Sequence, residues 1–228
     1  MPRLFRLTTG AAGSILVLLA VSACAGYGGE TETTASTPSS TVVAPANTQD
    51  GGLVAGSGPN EIDVWLDFQC GHCLDFEKTN GSFLQSLVET NTATVRLHPL
   101  YFLDRGQSQA SLSAANALVC VADHQPDAML EFNQAVFALD PGSWDIAKLQ
   151  QEAQSLDIHG VDSCIQDGTF TGWLTEQQEK ALSGPLAATT EINAVRGTPT
   201  IIVNGSVYSG PPSDNSAFVA FFESVKRA

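Results

Sequence analysis

The sequence has 228 residues, 24 of them acidic and 10 basic, for a formal net charge of −14. So acidic a chain is repelled by nucleic acid and by anionic lipid head groups, which excludes nucleic acid as a partner. The stretch from Asn60 to the C-terminus, about 170 residues, is enough for one domain with a real core.

In chain order, Arg3 and Arg6 come first, followed by the apolar run "AAGSILVLLAVSA", which stops at Cys24. A basic start, a short apolar stretch and small residues before a break make a signal-peptide layout over residues 1–23. The run is shorter than the roughly 20 apolar residues that span a membrane. The segment "VSAC", Val21 to Cys24, resembles a bacterial lipobox, in which the cysteine is lipidated and becomes the new N-terminus. The alternative is an ordinary cleavable signal with an incidental cysteine. Losing Arg3 and Arg6 with the signal takes the formal charge from −14 to −16. Residues 24–59 are rich in Thr, Ser, Gly, Ala and Pro and read as a flexible tether, with an end-to-end distance of roughly 30 Å. The expectation is a head anchored by lipid at Cys24 on the outer face of a bacterial cell membrane.

"EIDVWLDF" (61–68) has the β-branched and aromatic content of a strand, with Ile62, Val64, Leu66 and Phe68 on one side and Trp65 on the other. From Gly71 the period becomes helical through Cys73, Phe76, Phe83, Leu84, Leu87 and Val88, with a kink expected at Gly81-Ser82. "ATVRLHPL" (93–100) predicts a second strand. Residues from about 104 to 190 form a helical insert. Its pieces are "SLSAANALVCVA", "QPDAMLEFNQAVFAL", a helix capped by Ser143 and stopped at Gly160, "GWLTEQQEKAL" and "AATTEINAV". "TIIVNGSVYSG" then predicts a hairpin around Asn204-Gly205, and "SAFVAFFESVKRA" a closing amphipathic helix. The order defines an α/β domain, residues 60–228, with helices inserted between its second strand and its hairpin.

The cysteines carry the chemistry. If Cys24 bears lipid, Cys70, Cys73, Cys120 and Cys164 remain, an even number in an exported chain and therefore two pairs. Cys70 and Cys73 lie at a strand-to-helix junction. There the free N–H groups and dipole of the helix stabilise a thiolate on Cys70, and His72 adds a group able to carry positive charge. A stabilised thiolate is a good leaving group, so the couple is oxidising. Cys73, one turn deeper, is the resolving thiol. Zinc needs more ligands than these, and His98, His124 and His159 are scattered singly, so no metal or cofactor is expected. Covalent haem needs His after the second cysteine, where Leu74 stands. A purely structural Cys70–Cys73 bond remains the alternative. Cys120 and Cys164, 44 positions apart in the insert, are left as partners for each other, a structural disulfide, or else as two separately buried thiols.

"DFQCGHC" together with "INAVRGTPTIIVNG" resembles the thioredoxin-fold thiol:disulfide oxidoreductases of the DsbA type over roughly residues 60–226. The resemblance implies a cis peptide bond at Thr198-Pro199 facing the cysteines, with backbone groups at Thr198 pairing with a substrate chain. It implies catalysis of disulfide formation in exported proteins as they fold, a membrane redox partner that reoxidises Cys70–Cys73, and a monomer. A reductase or isomerase of the same fold is the second possibility, and a non-enzymatic lipoprotein, whether binding module or metal chaperone, the third. One departure is Val64, six residues before Cys70, where the family often has a buried acid. Asp67, three residues before Cys70, matches the family pattern and is expected as a solvated or hydrogen-bonded edge residue.

Overall fold

The computed structural model describes residues 42–140 and 144–227. The signal segment, Cys24, the first part of the tether and Ser143 lie outside the described residues. Among those described, no helix is long and apolar enough to cross a membrane.

One six-stranded sheet organises the domain. Its strands are β1 (Thr48–Gln49), β2 (Gly52–Ala55), β3 (Asn60–Asp67), β4 (Ala93–Leu100), β5 (Thr200–Val203) and β6 (Ser206–Val207). They lie in the order β1-β2-β4-β3-β5-β6. β3 and β4 run parallel, with Val64 opposite Leu97. That pairing needs a crossover, which α1 (Gly71–Glu89) supplies. β5 runs antiparallel to β3 on its other side, placing Ile201 opposite Val64. The turn at Asn204-Gly205, with φ of 49° and 93°, joins β5 to β6.

The alternation read in β3 splits the core. Ile62, Val64, Leu66 and Phe68 enter the large cluster with Phe76, Leu84, Phe218 and Phe222. Trp65 joins a smaller one with Leu100, Ala181, Leu186, Val195 and Ile202. The closing helix α7 (Asn215–Val225) lies against α1 through edge-on contacts of Phe76 and Phe83 with Phe218, and of Phe83 with Phe222. Burial of each such ring contributes about 1.5–3 kcal/mol.

Between β4 and β5 stand α2 (Ala110–His124), a 3₁₀ turn (Pro126–Ala128), α3 (Met129–Ala138), α4 (Ile146–Ser155), α5 (Asp162–Asp167) and α6 (Thr171–Ser183). Cys120 on α2 and Cys164 on α5 are joined, Sγ to Sγ 2.00 Å.

Three expectations need correction. The tether does not reach residue 59: Asp50 and Gly51, both at positive φ, turn β1 into β2, and Leu53 pairs with Leu97 of β4. α4 is capped by Asp145, whose carboxylate accepts from Lys148 N at 2.8 Å, and it ends at Ser155. "AATTEINAV" forms no helix. The Thr189 hydroxyl takes Glu191 N at 3.0 Å, so a side chain satisfies a group a helix would have paired internally, and Glu191 Oε2 accepts from Val207 N of β6 at 2.9 Å. α1 runs as one helix through Gly81-Ser82. Gly81 has a packing reason there, since a Cβ would collide with the Glu77 carboxyl.

Inside the sheet, Arg96 grips Asp63 with two parallel hydrogen bonds of 2.7 and 2.8 Å. His98 Nε2 lies 2.8 Å from the same carboxylate while its ring stacks on Trp65. Burial works to raise the Asp63 carboxyl, but these partners outweigh it and hold the group below its usual value. His98 is thus structural, as expected from its place at a strand end.

Candidate active site

β3 ends at Asp67, and Cys70 N donates back to Asp67 O at 2.9 Å. This tight turn sets Cys70 at the N-cap of α1 in extended conformation, with φ −83° and ψ 114°. No side-chain hydrogen bond caps the helix, Cys73 N donates to Cys70 O at 3.0 Å, and the N–H groups of His72 and Cys73 act on the Cys70 sulfur. The Cys70 side chain is half-buried, whereas Cys73 is 2% exposed beneath it. Neither is bonded to the other, so the structure describes the dithiol state.

The two sulfurs divide the ionisation unequally. The Cys70 thiol is lowered from 9.0 to about 5, first by the hydrogen bond donated from the Cys73 thiol. Burial opposes this, and Thr198 with the backbone N–H groups of Cys73 and His72 adds to it. Cys73 is pushed well above its ordinary value, by burial first and then by the negative charge at Cys70. At neutral pH the pair is therefore one thiolate facing outward over one thiol facing inward.

Across from α1 lies the loop before β5. Thr198-Pro199 is a cis peptide, and the Cys70 sulfur is 3.1 Å from Thr198 O. The buried Thr198 hydroxyl serves both sulfurs and works to lower each thiol. The structure thus brings Cys70, Cys73, Thr198 and Pro199 together.

The His72 imidazole is not part of this cluster. It is 77% exposed, with Nδ1 3.9 Å from Asp75, and only the backbone N–H of His72 serves the sulfur. The main-chain N–H of His72 is thus the part of this residue that acts on the sulfur here, while its ring lies in solvent beside Asp75.

Asp67 is hydrogen-bonded, one of its two expected states, but buried. It is 0% exposed, and its carboxylate accepts from Gln69 N (3.0 Å), Leu103 N (3.0 Å) and the Ser111 hydroxyl (2.5 Å). Burial raises its pKa, and those three donors work the other way. Gln69 Nε2 donates to Asp104 Oδ1 and to Ser111 Oγ, and Asp104 caps the first turn of α2 through Ser111 N and Leu112 N. The cysteine turn is fastened to the helical insert by this network. The sequence offered only its polar residue types, dispersed over 44 positions.

A second buried carboxyl, Glu77, lies one turn beyond Cys73. Burial raises it from 4.5 to about 7, with Asn133 pulling slightly the other way. Val64, by contrast, is 2% exposed in the apolar core, so no acid stands at that point. Among the described residues, no group of three or more His, Cys, Asp or Glu is arranged to hold a metal ion.

A family described as thioredoxin matches residues 51–221 of the chain. A search of curated proteins finds no match. Among solved structures, the reduced disulfide bond oxidoreductase DsbG of Mycobacterium tuberculosis is 25% identical, with a TM-score of 0.61 over 78% of this chain and 89% of its own. Reduced DsbA of the same organism is 26% identical, TM-score 0.60, over 77% and 92%. MdbA, a thiol-disulfide oxidoreductase from Corynebacterium diphtheriae, is 21% identical, TM-score 0.64, over 77% and 92%, a likeness of fold alone.

Proposed function

The chain belongs to the thioredoxin family over residues 51–221, and from that premise we propose that this thiol:disulfide oxidoreductase works as an oxidase of exported proteins. The observation that carries the reading is the division of charge between the sulfurs: a Cys70 thiolate at about 5 above a Cys73 thiol held neutral. Stabilising the thiolate stabilises the reduced couple, and a stable reduced form makes the disulfide a strong oxidant.

In the proposed cycle a substrate thiolate attacks Cys70 Sγ. The Cys70–Cys73 bond breaks, and the Cys73 thiolate leaves and takes a proton, which its raised pKa favours. A second substrate thiolate attacks the substrate sulfur of the mixed disulfide, and Cys70 leaves as the stabilised thiolate. Two electrons pass from substrate to protein. One substrate proton goes to Cys73 and the other to solvent. Thr198, whose carbonyl touches the Cys70 sulfur, presents main-chain groups to the substrate strand. A membrane oxidant restores the Cys70–Cys73 bond, and the protein acts as a monomer held by lipid at Cys24.

The test is the reduction potential of Cys70–Cys73, measured by equilibration with glutathione buffers. We expect a value at or above about −180 mV, the range of protein disulfide isomerase and DsbA. A value near the −270 mV or so of thioredoxin would assign the protein to reduction instead.

A further inference from the structure

The loop that carries Thr198 lines an open groove of about 570 Å³. It is lined by Asn193, Arg196, Gly197, Thr198, Pro199 and Thr200, with Ile192 and Ala194 behind. Thr198, one of these residues, also meets the Cys70 sulfur through its carbonyl. Arg196 is the one charged residue in this lining. Its side chain is exposed and makes no hydrogen bond or ion pair among the described residues. Arg96, Lys180, Lys226 and Arg227 each have a carboxylate within 4 Å, whereas Arg196 shares with Lys78, Arg105 and Lys148 the lack of one, and of these it alone lines the groove at Thr198. Glu191, the acid nearest to it along the loop, is engaged by Val207 N.

We infer that Arg196 sets substrate preference: the groove favours chains with a carboxylate about two residues from the cysteine being oxidised. The inference rests on the oxidoreductase reading above and adds a class of substrate to it. Arg196 stands two residues before Thr198, so their Cα atoms lie at most about 7 Å apart. A substrate chain that pairs at Thr198 with its sulfur at Cys70 therefore passes within reach of the long Arg196 side chain about two residues from its cysteine. A guanidinium presents a planar fork that matches a carboxylate, and this one has no internal partner to give up.

The rest of the molecule opposes the preference, because a net charge of −14 repels acidic peptides at long range. At 0.15 M ionic strength that repulsion is screened beyond about 8 Å, while a contact pair is screened much less. The two effects are separable by experiment.

The experiment oxidises the Cys70–Cys73 pair and follows its two-electron reduction by a dithiol peptide, whose two thiols become one disulfide. Peptides carry Glu, Gln or Lys two positions before and after the first cysteine. Rates are compared as Glu-to-Gln ratios within each protein, so that effects of charge on the peptide thiol and of the distant field cancel between proteins. The ratio for the wild type should exceed that for Arg196→Gln by about two- to fivefold, the range of an exposed ion pair. Arg196→Lys should keep part of the difference, and Arg196→Glu should shift preference to the Lys peptide. Equal ratios in wild type and Arg196→Gln, with the neutral peptide still oxidised, overturn the inference and leave the enzyme reading standing. If the wild type oxidises none of the peptides, both fall together.

Discussion

Glu77 makes this domain's stability depend on pH in an unusual direction. Its carboxyl is 8% exposed, enclosed where α1 meets α3, with Gly81 leaving room for it one turn on. Burial lifts its pKa from 4.5 to about 7 in the folded protein, while the unfolded chain keeps the lower value. Between those two values the native state holds a proton that the unfolded state has lost. Stability rises with pH only where the unfolded state binds more protons, so here the Glu77 contribution falls as pH rises. The loss is nil below about pH 4 and complete above about pH 7.5. At about 1.36 kcal/mol per pKa unit, the penalty of ionising a buried Glu77 reaches about 3 kcal/mol. Glu77→Gln keeps the shape and cannot ionise. Urea unfolding of both proteins from pH 4.5 to 8.5 should give a difference in free energy that moves in favour of the variant by about 3 kcal/mol across that range. All other carboxylates titrate alike in the two proteins and drop out. A difference independent of pH would show that Glu77 is not held protonated, and the account of this site would be wrong.

Two further outcomes follow from the cysteines. Thiolate absorbance or alkylation against pH should titrate Cys70 near pH 5 and leave Cys73 unreactive through neutrality. A Cys70 titrating near the free value of about 8.5 refutes the oxidant chemistry. Replacing both Cys120 and Cys164 by Ala opens a loop closed across 44 positions, which in the chain-entropy model costs about 4 kcal/mol. Calorimetry should show a lower melting temperature with peptide oxidation at Cys70 retained, and loss of both together would mean the bond serves the active site.

The sequence carried the site wherever chemistry and periodicity coincided. The change of period at Cys70 marked the end of β3 and the start of α1, and Asn204-Gly205 marked the last hairpin, because each is decided by neighbours in the chain. What it did not carry depends on distant partners. Glu77 is one acid among many until α3 folds over it. Asp67 is buried only because Leu103 and Ser111 arrive to donate to it. His72 was assigned a through-space role from adjacency alone, but residues two apart on a helix do not face each other, and its ring turned to Asp75. The β1–β2 hairpin had its Asp50-Gly51 turn signal in plain view, and a composition of Thr, Ser, Gly and Pro around it outweighed that signal.

That hairpin decides where the domain can be cut. Without it β4 would be an outer strand of eight residues, with the backbone groups along Val95 to Leu97 unpaired and ready to template another chain. β2 occupies this edge at Leu53, Val54 and Ala55, and Pro99 further along has no N–H to offer. The opposite side of the sheet ends in a two-residue strand too short to recruit much. A version trimmed to residue 60 would keep every cysteine of the domain and all of the groove, yet expose an aggregation-prone margin. One beginning before Asn47, whose carbonyl accepts from Val54 N and whose side-chain amide donates to Val54 O, keeps that margin shut.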